Sequence, residues 1–305
     1  MILTLTLNPA VDKTLELDKL TKGSVNRSRK VTWYAGGKGI NVTRMLGQYG
    51  ISVCAMGFIG GYTGEYILQE TEKTGAAVDF IRTKGSTRVN TNVLGDGGEV
   101  TEILEPGPVI SDEECNLLYE RYMKNLDKCD IVVISGSAPQ GVDTDYVRKL
   151  IRAANSKAKR VILDMSGEYL RAAIDEGVYM IKPNISELCS AYKTEFNSYR
   201  DIADFVRDKA EVAVVSLGAE GFLHVDRERT VFAGAPRVEV KSTVSCGDTL
   251  VAVYAAGYEQ GMNIKDMIKQ GAAASGANAS LYSSGYIPME YAVELQKNIE
   301  LTDIE

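Results

Sequence analysis

Apolar and polar residues follow two rhythms along this chain, and the rhythms take turns. Val42, Met45, Leu46 and Tyr49 fall at i, i+3, i+4 and i+7, one face of a helix, and Gly50 supplies its stop. Ile51 to Phe58 is an apolar run of strand length. Glu65 to Thr74 predicts a helix stopped by Gly75, and Ser111 with Glu114 reads as a capping box opening a helix to about Asp127. Ile131 to Ile134 is continuously apolar, as strands buried on both faces are. The same order continues with a helix near 143–157, strand Val161 to Leu163, helix 168–176, strand Tyr179 to Ile181, helices from Ile185 and over about 199–209, and strand Val212 to Val215. Repeated βα units predict an α/β fold, a parallel sheet covered by helices on both faces.

Two stretches break the rhythm. Residues 11–34 alternate apolar and polar groups without a helical period, and 86–104, centred on Gly95-Asp96-Gly97-Gly98, read as a hairpin. Both predict antiparallel strands with one open face, and such strands need a cover. The expectation is a small β-lid built from two separated insertions, suited to pairing with a second subunit. No linker or repeat interrupts the chain, so residues 1–305 read as a single domain.

Composition narrows the function classes. With 45% apolar and 25% charged residues, the chain reads as an ordinary globule, and no stretch approaches a membrane span. The opening Met1 to Leu7 predicts a strand, not a signal peptide. Cys54, Cys115, Cys129, Cys189 and Cys246 are scattered without metal-ligand spacing, which predicts a reducing cytoplasm with neither disulfides nor structural zinc. A net charge of −7 argues against a nucleic-acid partner. His224 is the single histidine and lies in the strand-like Phe222 to Val225, which argues against Ser-His-Asp hydrolysis and histidine-metal catalysis.

The most informative junction is Ser242-Thr-Val-Ser-Cys-Gly-Asp-Thr249, which opens the small-residue helix Leu250 to Gly257. Amides at a helix start suit phosphate, and a carboxylate there opposes phosphate unless it has a chemical task. For Asp248 the task would be to take a proton from a hydroxyl attacking a phosphoryl group; alone, it reads equally as a helix cap. Gly36-Gly37-Lys38-Gly39-Ile40-Asn41 offers a backbone cradle, a cation and an amide, or a tight turn, and matches neither GxxxxGK[ST] nor GxGxxG. Asp12 follows the first strand, where it can accept from sugar hydroxyls. Arg88 and Asn90 share one face of a lid strand and suit a phosphate ester. Asn184 and Glu187 can face a hydrated cation, or form a capping box. Ser216-Leu-Gly-Ala-Glu-Gly221 is a strand end that can pass a nucleotide, or a turn.

The order of these motifs is specific. Asn-Pro-x-x-Asp, Gly-Gly-Lys-Gly-x-Asn, Thr-Arg-x-Asn, Ser-Gly-Ser-x-Pro, Lys-Pro-Asn-x-x-Glu, Ser-x-Gly-x-x-Gly and Gly-Asp before a small-residue helix resemble the ribokinase-like (PfkB) sugar kinases over essentially the whole chain. Residues 4–12, 36–44, 57–61 and 135–139 resemble most the hexose-phosphate branch, 1-phosphofructokinase and tagatose-6-phosphate kinase. The resemblance implies a three-layer parallel-sheet domain with a β-lid, ATP and Mg²⁺, and a sugar-phosphate substrate; the charge and hydropathy above predict no nucleic-acid or membrane partner, and the open lid strands predict a homodimer joined through the lid. It implies Asp248 as base, with amides of Ser245, Cys246 and Gly247 as the anion hole. Asp12, Gly37 and Asn41 hold the sugar; Lys38, Arg88 and Asn90 meet its phosphate; Ser137 lies near it. Asn184 and Glu187 organise magnesium, Glu187 through water, and Ser216, Gly218, Gly221 and Asn278 line the nucleotide site. The family usually carries Gly-Ala-Gly-Asp where this chain has Ser245-Cys246-Gly247-Asp248. Serine is strained at angles glycine tolerates, and a helix-start thiol tends toward the thiolate, so oxidation of Cys246 is expected to inhibit unless the thiol is only a small filler.

Overall fold

The computed structural model describes residues 1–96, 99–281 and 285–304. In chain order its strands are β1 (Ile2–Thr6), β2 (Ala10–Glu16), β3 (Lys30–Gly36), β4 (Val53–Ile59), β5 (Ala77–Val78), β6 (Ile81–Arg82), β7 (Arg88–Leu94), β8 (Val100–Ile103), β9 (Ile131–Ser135), β10 (Arg160–Asp164), β11 (Met180–Ile181), β12 (Val212–Ser216), β13 (Gly221–Asp226), β14 (Thr230–Gly234) and β15 (Leu301–Asp303). Its helices are α1 (Lys38–Gln48), α2 (Gly61–Glu72), α3 (Asp112–Leu126), α4 (Thr144–Ser156), α5 (Gly167–Asp175), α6 (Ile185–Tyr192), α7 (Tyr199–Val206), α8 (Cys246–Gln260), α9 (Ile264–Ala279) and α10 (Met289–Gln296).

The large sheet runs β15-β14-β13-β12-β11-β10-β9-β1-β4-β5, with β6 also on β4. It is parallel from β12 to β5 and antiparallel from β12 to β15. Strands such as β1 and β4 are buried along their whole length, because helices cover both faces. One core packs Leu3, Leu5, Val132 and Leu163 against Leu118, Leu150 and Leu188 from α3, α4 and α6; the other packs Ile2, Val133 and Ile162 against Val42, Val251 and Ala273 from α1, α8 and α9. α8 is buried over ten consecutive residues, Asp248 to Gly257, which its alanines and glycine allow. His224 is fully buried on β13, between the hydroxyl of Tyr254 and the carboxylate of Asp226, both at 3.1 Å.

The second sheet has the order β3-β2-β7-β8 and comes from the two insertions expected to form a lid. The pairs β2–β3 and β7–β8 are antiparallel, but the insertions join through a parallel β2–β7 pair, contrary to the wholly antiparallel expectation. Both strands leave the body in the same direction, one after β1 and one after the β4–β6 edge, so side-by-side pairing is parallel. Gly97 and Gly98 of the expected hairpin centre lie outside the described residues.

α1 also begins earlier than its apolar face suggests. Gly37 is its N-cap, and Lys38 and Gly39 form its first turn. A Cβ on Gly39 would stand 2.2 Å from the Thr6 hydroxyl, so glycine lets α1 dock on the end of β1. Gly36 thus closes β3, Gly37 caps α1, and Lys38 and Gly39 belong to the helix's first turn.

Candidate active site

The carboxyl ends of β1, β9, β10, β11 and β12 point to one edge of the large sheet, where sites of open α/β sheets form. Asp248, in the first turn of α8, reaches this edge with a side chain that is almost fully buried. The Asn41 amide nitrogen donates to its Oδ2 at 2.8 Å and also approaches Ser245 Oγ at 3.0 Å. Burial pushes the Asp248 carboxyl up to about 6; Asp164 adds in the same direction, while Asn41, Lys38 and Lys182 oppose. A carboxylate poised there accepts a proton near neutral pH.

Beside it stands a buried charge cluster. Asp164, closing β10, is 3.1 Å from Lys38 Nζ and 3.4 Å from Lys182 Nζ, and accepts from Ser135 Oγ at 3.2 Å. Burial opposes its charge, but the two ammoniums outweigh that and hold its carboxyl below the usual range. Burial likewise opposes the charge of Lys38, yet Asp164, Glu187 and Asp248 keep its ammonium above the ordinary lysine range. Lys182 Nζ lies 2.9 Å from where a Cβ of Gly247 would stand, so this ammonium borders the start of α8. Lys38, expected with Arg88 at the sugar's phosphate, is instead paired with Asp164 and lies 4.0 Å from Glu187.

The lid supplies the other end. Asn90 donates to Asp12 Oδ1 at 3.0 Å, and burial raises the Asp12 carboxyl against that bond. The Arg88 guanidinium donates to the carbonyls of Asn8 (3.0 Å) and Glu105 (3.2 Å) and to Ser137 Oγ (3.3 Å). Its Nε, together with Asn90 Oδ1 and Asn8 Oδ1, is buried without a partner. Unpaired buried donors and acceptors are costly, so these atoms are unspent hydrogen-bonding capacity around Arg88.

Several expected residues are engaged differently. Asn41 spends its amide on Asp248, Ser245 and Arg44, so it holds the base rather than offering a free face to sugar. Gly37 is structural, the α1 cap at φ 98°. The Cys246 N–H turns onto the Thr243 carbonyl at 3.3 Å and leaves the expected hole to its neighbours. Gly247 and Asp248 sit in the first turn, where amides lack intrahelical acceptors. Ser245 does adopt the left-handed region, φ 67°, that its replacement of glycine makes costly. Burial pushes the Cys246 thiol up to about 11, and Sγ lies near the Ser275 carbonyl (3.5 Å) and Asn278 Oδ1 (3.6 Å). The thiolate expected from its position is corrected to a neutral filler, because desolvation outweighs the helix start.

Asn278 is buried in α9, donates to the Tyr286 carbonyl and meets that thiol, so its amide faces protein and not nucleotide. A Cβ on Gly221 would stand 2.0 Å from the Ala233 carbonyl, so this glycine serves the β13–β14 contact. Ser216 closes β12 and bridges to Asn184, and Gly218 opens a short turn into open space at φ 65°. Asn184 and Glu187 form a complete capping box. That leaves Glu187 Oε1 toward Lys38, one carboxylate oxygen for magnesium. Magnesium keeps several waters and binds through one or two carboxylates plus phosphates, so this fits a water-mediated contact.

Asp164 lies in no motif of the sequence, and Lys182 and Arg44, though inside Lys-Pro-Asn-x-x-Glu and residues 36–44, receive no role there. Their signal is faint: Asp164 is the charged last residue of the buried strand β10, and Lys182 directly follows the buried strand β11.

Comparisons with known proteins give the family. The sequence profile described as pfkB family carbohydrate kinase matches residues 5–290. A 1-phosphofructokinase of Bacillus subtilis (strain 168) is 34% identical over 99% of both chains. A tagatose-6-phosphate kinase of Staphylococcus epidermidis (strain ATCC 12228 / FDA PCI 1200) is 35% identical over 100% of both. The structure of Escherichia coli phosphofructokinase-2 in complex with fructose-6-phosphate superposes with a TM-score of 0.87 at 29% identity, covering 97% of this chain and 98% of that one. Ribokinase from Thermotoga maritima, at 20% identity and a TM-score of 0.80 over 97% of this chain and 99% of that one, shares the fold.

Proposed function

Since this chain belongs to the pfkB family of carbohydrate kinases and is a sugar-phosphate kinase, we propose that it transfers the ATP γ-phosphoryl group to fructose 1-phosphate, giving fructose 1,6-bisphosphate. The observation that carries the reading is a pair of groups: a buried base, Asp248, and a half-buried guanidinium, Arg88, whose Nε lacks a partner. A ketohexose phosphate suits such a pair, with its existing phosphate toward Arg88 and its primary hydroxyl toward Asp248.

Asp248 takes the hydroxyl proton as the oxygen attacks phosphorus; the new P–O bond forms while the bond to ADP breaks. The first-turn amides of α8 and the ammoniums of Lys182 and Lys38 oppose the charge on the moving phosphoryl group. Glu187 would hold magnesium through water, and the ion would supply further charge neutralisation on the phosphates. Asp12 and Asn90 orient the sugar, Ser137 holds Arg88, and Ser216 and Gly218 border the nucleotide. The lid excludes water, which otherwise competes for the phosphoryl group.

Arg88-Val89-Asn90 favours fructose 1-phosphate. Tagatose 6-phosphate is the second reading, supported by the equally similar tagatose-6-phosphate kinase. Comparing kcat/KM for fructose 1-phosphate, tagatose 6-phosphate and fructose 6-phosphate tests it. The first is expected to lead by about tenfold or more, since a few hydrogen bonds decide between such sugars. A lead for tagatose 6-phosphate makes the second reading correct.

We also propose a homodimer through the lid, working in the cytoplasm. Val31, Trp33 and Ile103 point from one face of the small sheet and are exposed, an apolar surface that a second copy of the same sheet can cover. Sedimentation is expected to give a dimer that Trp33→Glu converts to monomer; a monomeric unsubstituted chain refutes it.

A further inference from the structure

Arg44 lies one turn beyond Asn41 on α1, at i+3 on the same face. Its Nη1 donates to Asn41 Oδ1 at 3.3 Å and its Nη2 to the Ala35 carbonyl at 2.5 Å. We propose that Arg44 is a positioning residue for phosphoryl transfer: it fixes which way the Asn41 amide faces, and that amide fixes both Asp248 and Ser245. The inference rests on Asp248 being the base.

The two ends of an asparagine amide have nearly the same shape, so only its neighbours decide its orientation. Here a guanidinium faces Oδ1 and a carboxylate faces Nδ2. Turning the amide over sets oxygen against carboxylate and NH₂ against guanidinium, which is repulsive at both ends. Without Arg44 one end loses that selection. The same Nδ2 meets the hydroxyl of Ser245, a residue held in a left-handed conformation uncommon outside glycine. The Ser245 carbonyl is bonded to Thr249 N (2.8 Å) and Oγ1 (2.9 Å). One amide thus ties the base to the residue that precedes the phosphoryl-facing helix turn.

A second observation singles out the pair. Gly285 packs directly on it: a Cβ there would stand 2.1 Å from Arg44 Nη1 and 2.8 Å from Asn41 Oδ1. Any side chain at this position pushes the guanidinium off the amide. Around Arg44 lie Glu70 and Tyr66 of α2, Asp12 of β2 and Tyr34 of β3. Around Asp248 lie Asp164 after β10, Lys38 of α1, Lys182 after β11 and Cys246 of its own helix. Asn41 touches both Arg44 and Asp248.

The test is the pH profile of kcat for Arg44→Met, Arg44→Lys, Asn41→Ala and the double variant Asn41→Ala/Arg44→Met. Loss of a hydrogen bond to the charged base raises its pKa, so the acid limb of Arg44→Met should move to higher pH. Its kcat should fall roughly tenfold, the loss of about one good charged hydrogen bond. Arg44→Lys should recover part of both effects. In the Asn41→Ala background Arg44→Met should add nothing. An unmoved acid limb, or losses that multiply in the double variant, overturns the proposal. Should Arg44→Met fail to fold, Gly285→Ala, which displaces the guanidinium while keeping its charge, is expected to shift the same limb, and an unshifted limb there overturns it too. Asp248→Asn separates the two readings. If that variant turns over normally, the base assignment fails; if it is inactive while the limb in Arg44→Met stays put, only the role of Arg44 fails.

Discussion

Asp248→Asn is expected to lower kcat by about 100- to 10,000-fold, the usual cost of removing a positioned general base. The same substitution should make the protein more stable at pH 7.5. Burial raises the Asp248 carboxyl to about 6, above its unfolded value of 3.8, so the folded state binds its proton more tightly than the unfolded state. Stability from such a group is present below the unfolded pKa and lost as pH rises through the folded one. At pH 7.5 the ionised, desolvated carboxylate therefore works against folding, and a neutral amide of the same shape removes that cost. Thermal melts of both proteins should show the Asp248→Asn variant ahead at pH 7.5, with the gap shrinking between pH 6 and 4. An equal gap at both ends of that range refutes the electrostatic account. Near-full turnover refutes the role.

Asp164→Asn should produce the second large effect, mainly on stability. Its carboxylate is the acceptor for Lys182, whose side chain is 4% exposed, and for Lys38. Removing one partner of a buried pair leaves an uncompensated charge and costs about 3–5 kcal/mol. The activity profile should move in the opposite sense to that expected for Arg44. Asp164 raises the Asp248 carboxyl, so its neutralisation lowers that pKa and carries the acid limb of kcat to lower pH. Denaturant titration and a pH series check the two halves separately. An unchanged midpoint means that the lysines find other partners. An acid limb that stays where it was means that the two carboxylates do not sense each other.

Both predictions depend on groups far apart in the chain, and this divides what was legible in advance. The sequence by itself determined the alternation of strands and helices, because periods of two and 3.6 are local properties that ten residues suffice to express. The capping boxes at Ser111 and Asn184 were legible for the same reason, as three-residue spacings. The order of motifs also determined the family, and with it the candidates Asp248, Asp12 and Arg88. Tertiary structure alone decided what those candidates touch. Asp164 meets Lys38 across 126 positions, and Asn41 meets Asp248 across 207. Cys246 stays a thiol because the surrounding chain removes its water, and Asn278 turns inward because α8 supplies its neighbour. The parallel β2–β7 pair likewise depends on where two insertions leave the body. Local pattern sets which face of an element is apolar; which charged side chains share a cleft depends on how the chain crosses itself, and desolvation and Coulomb energies follow from that crossing.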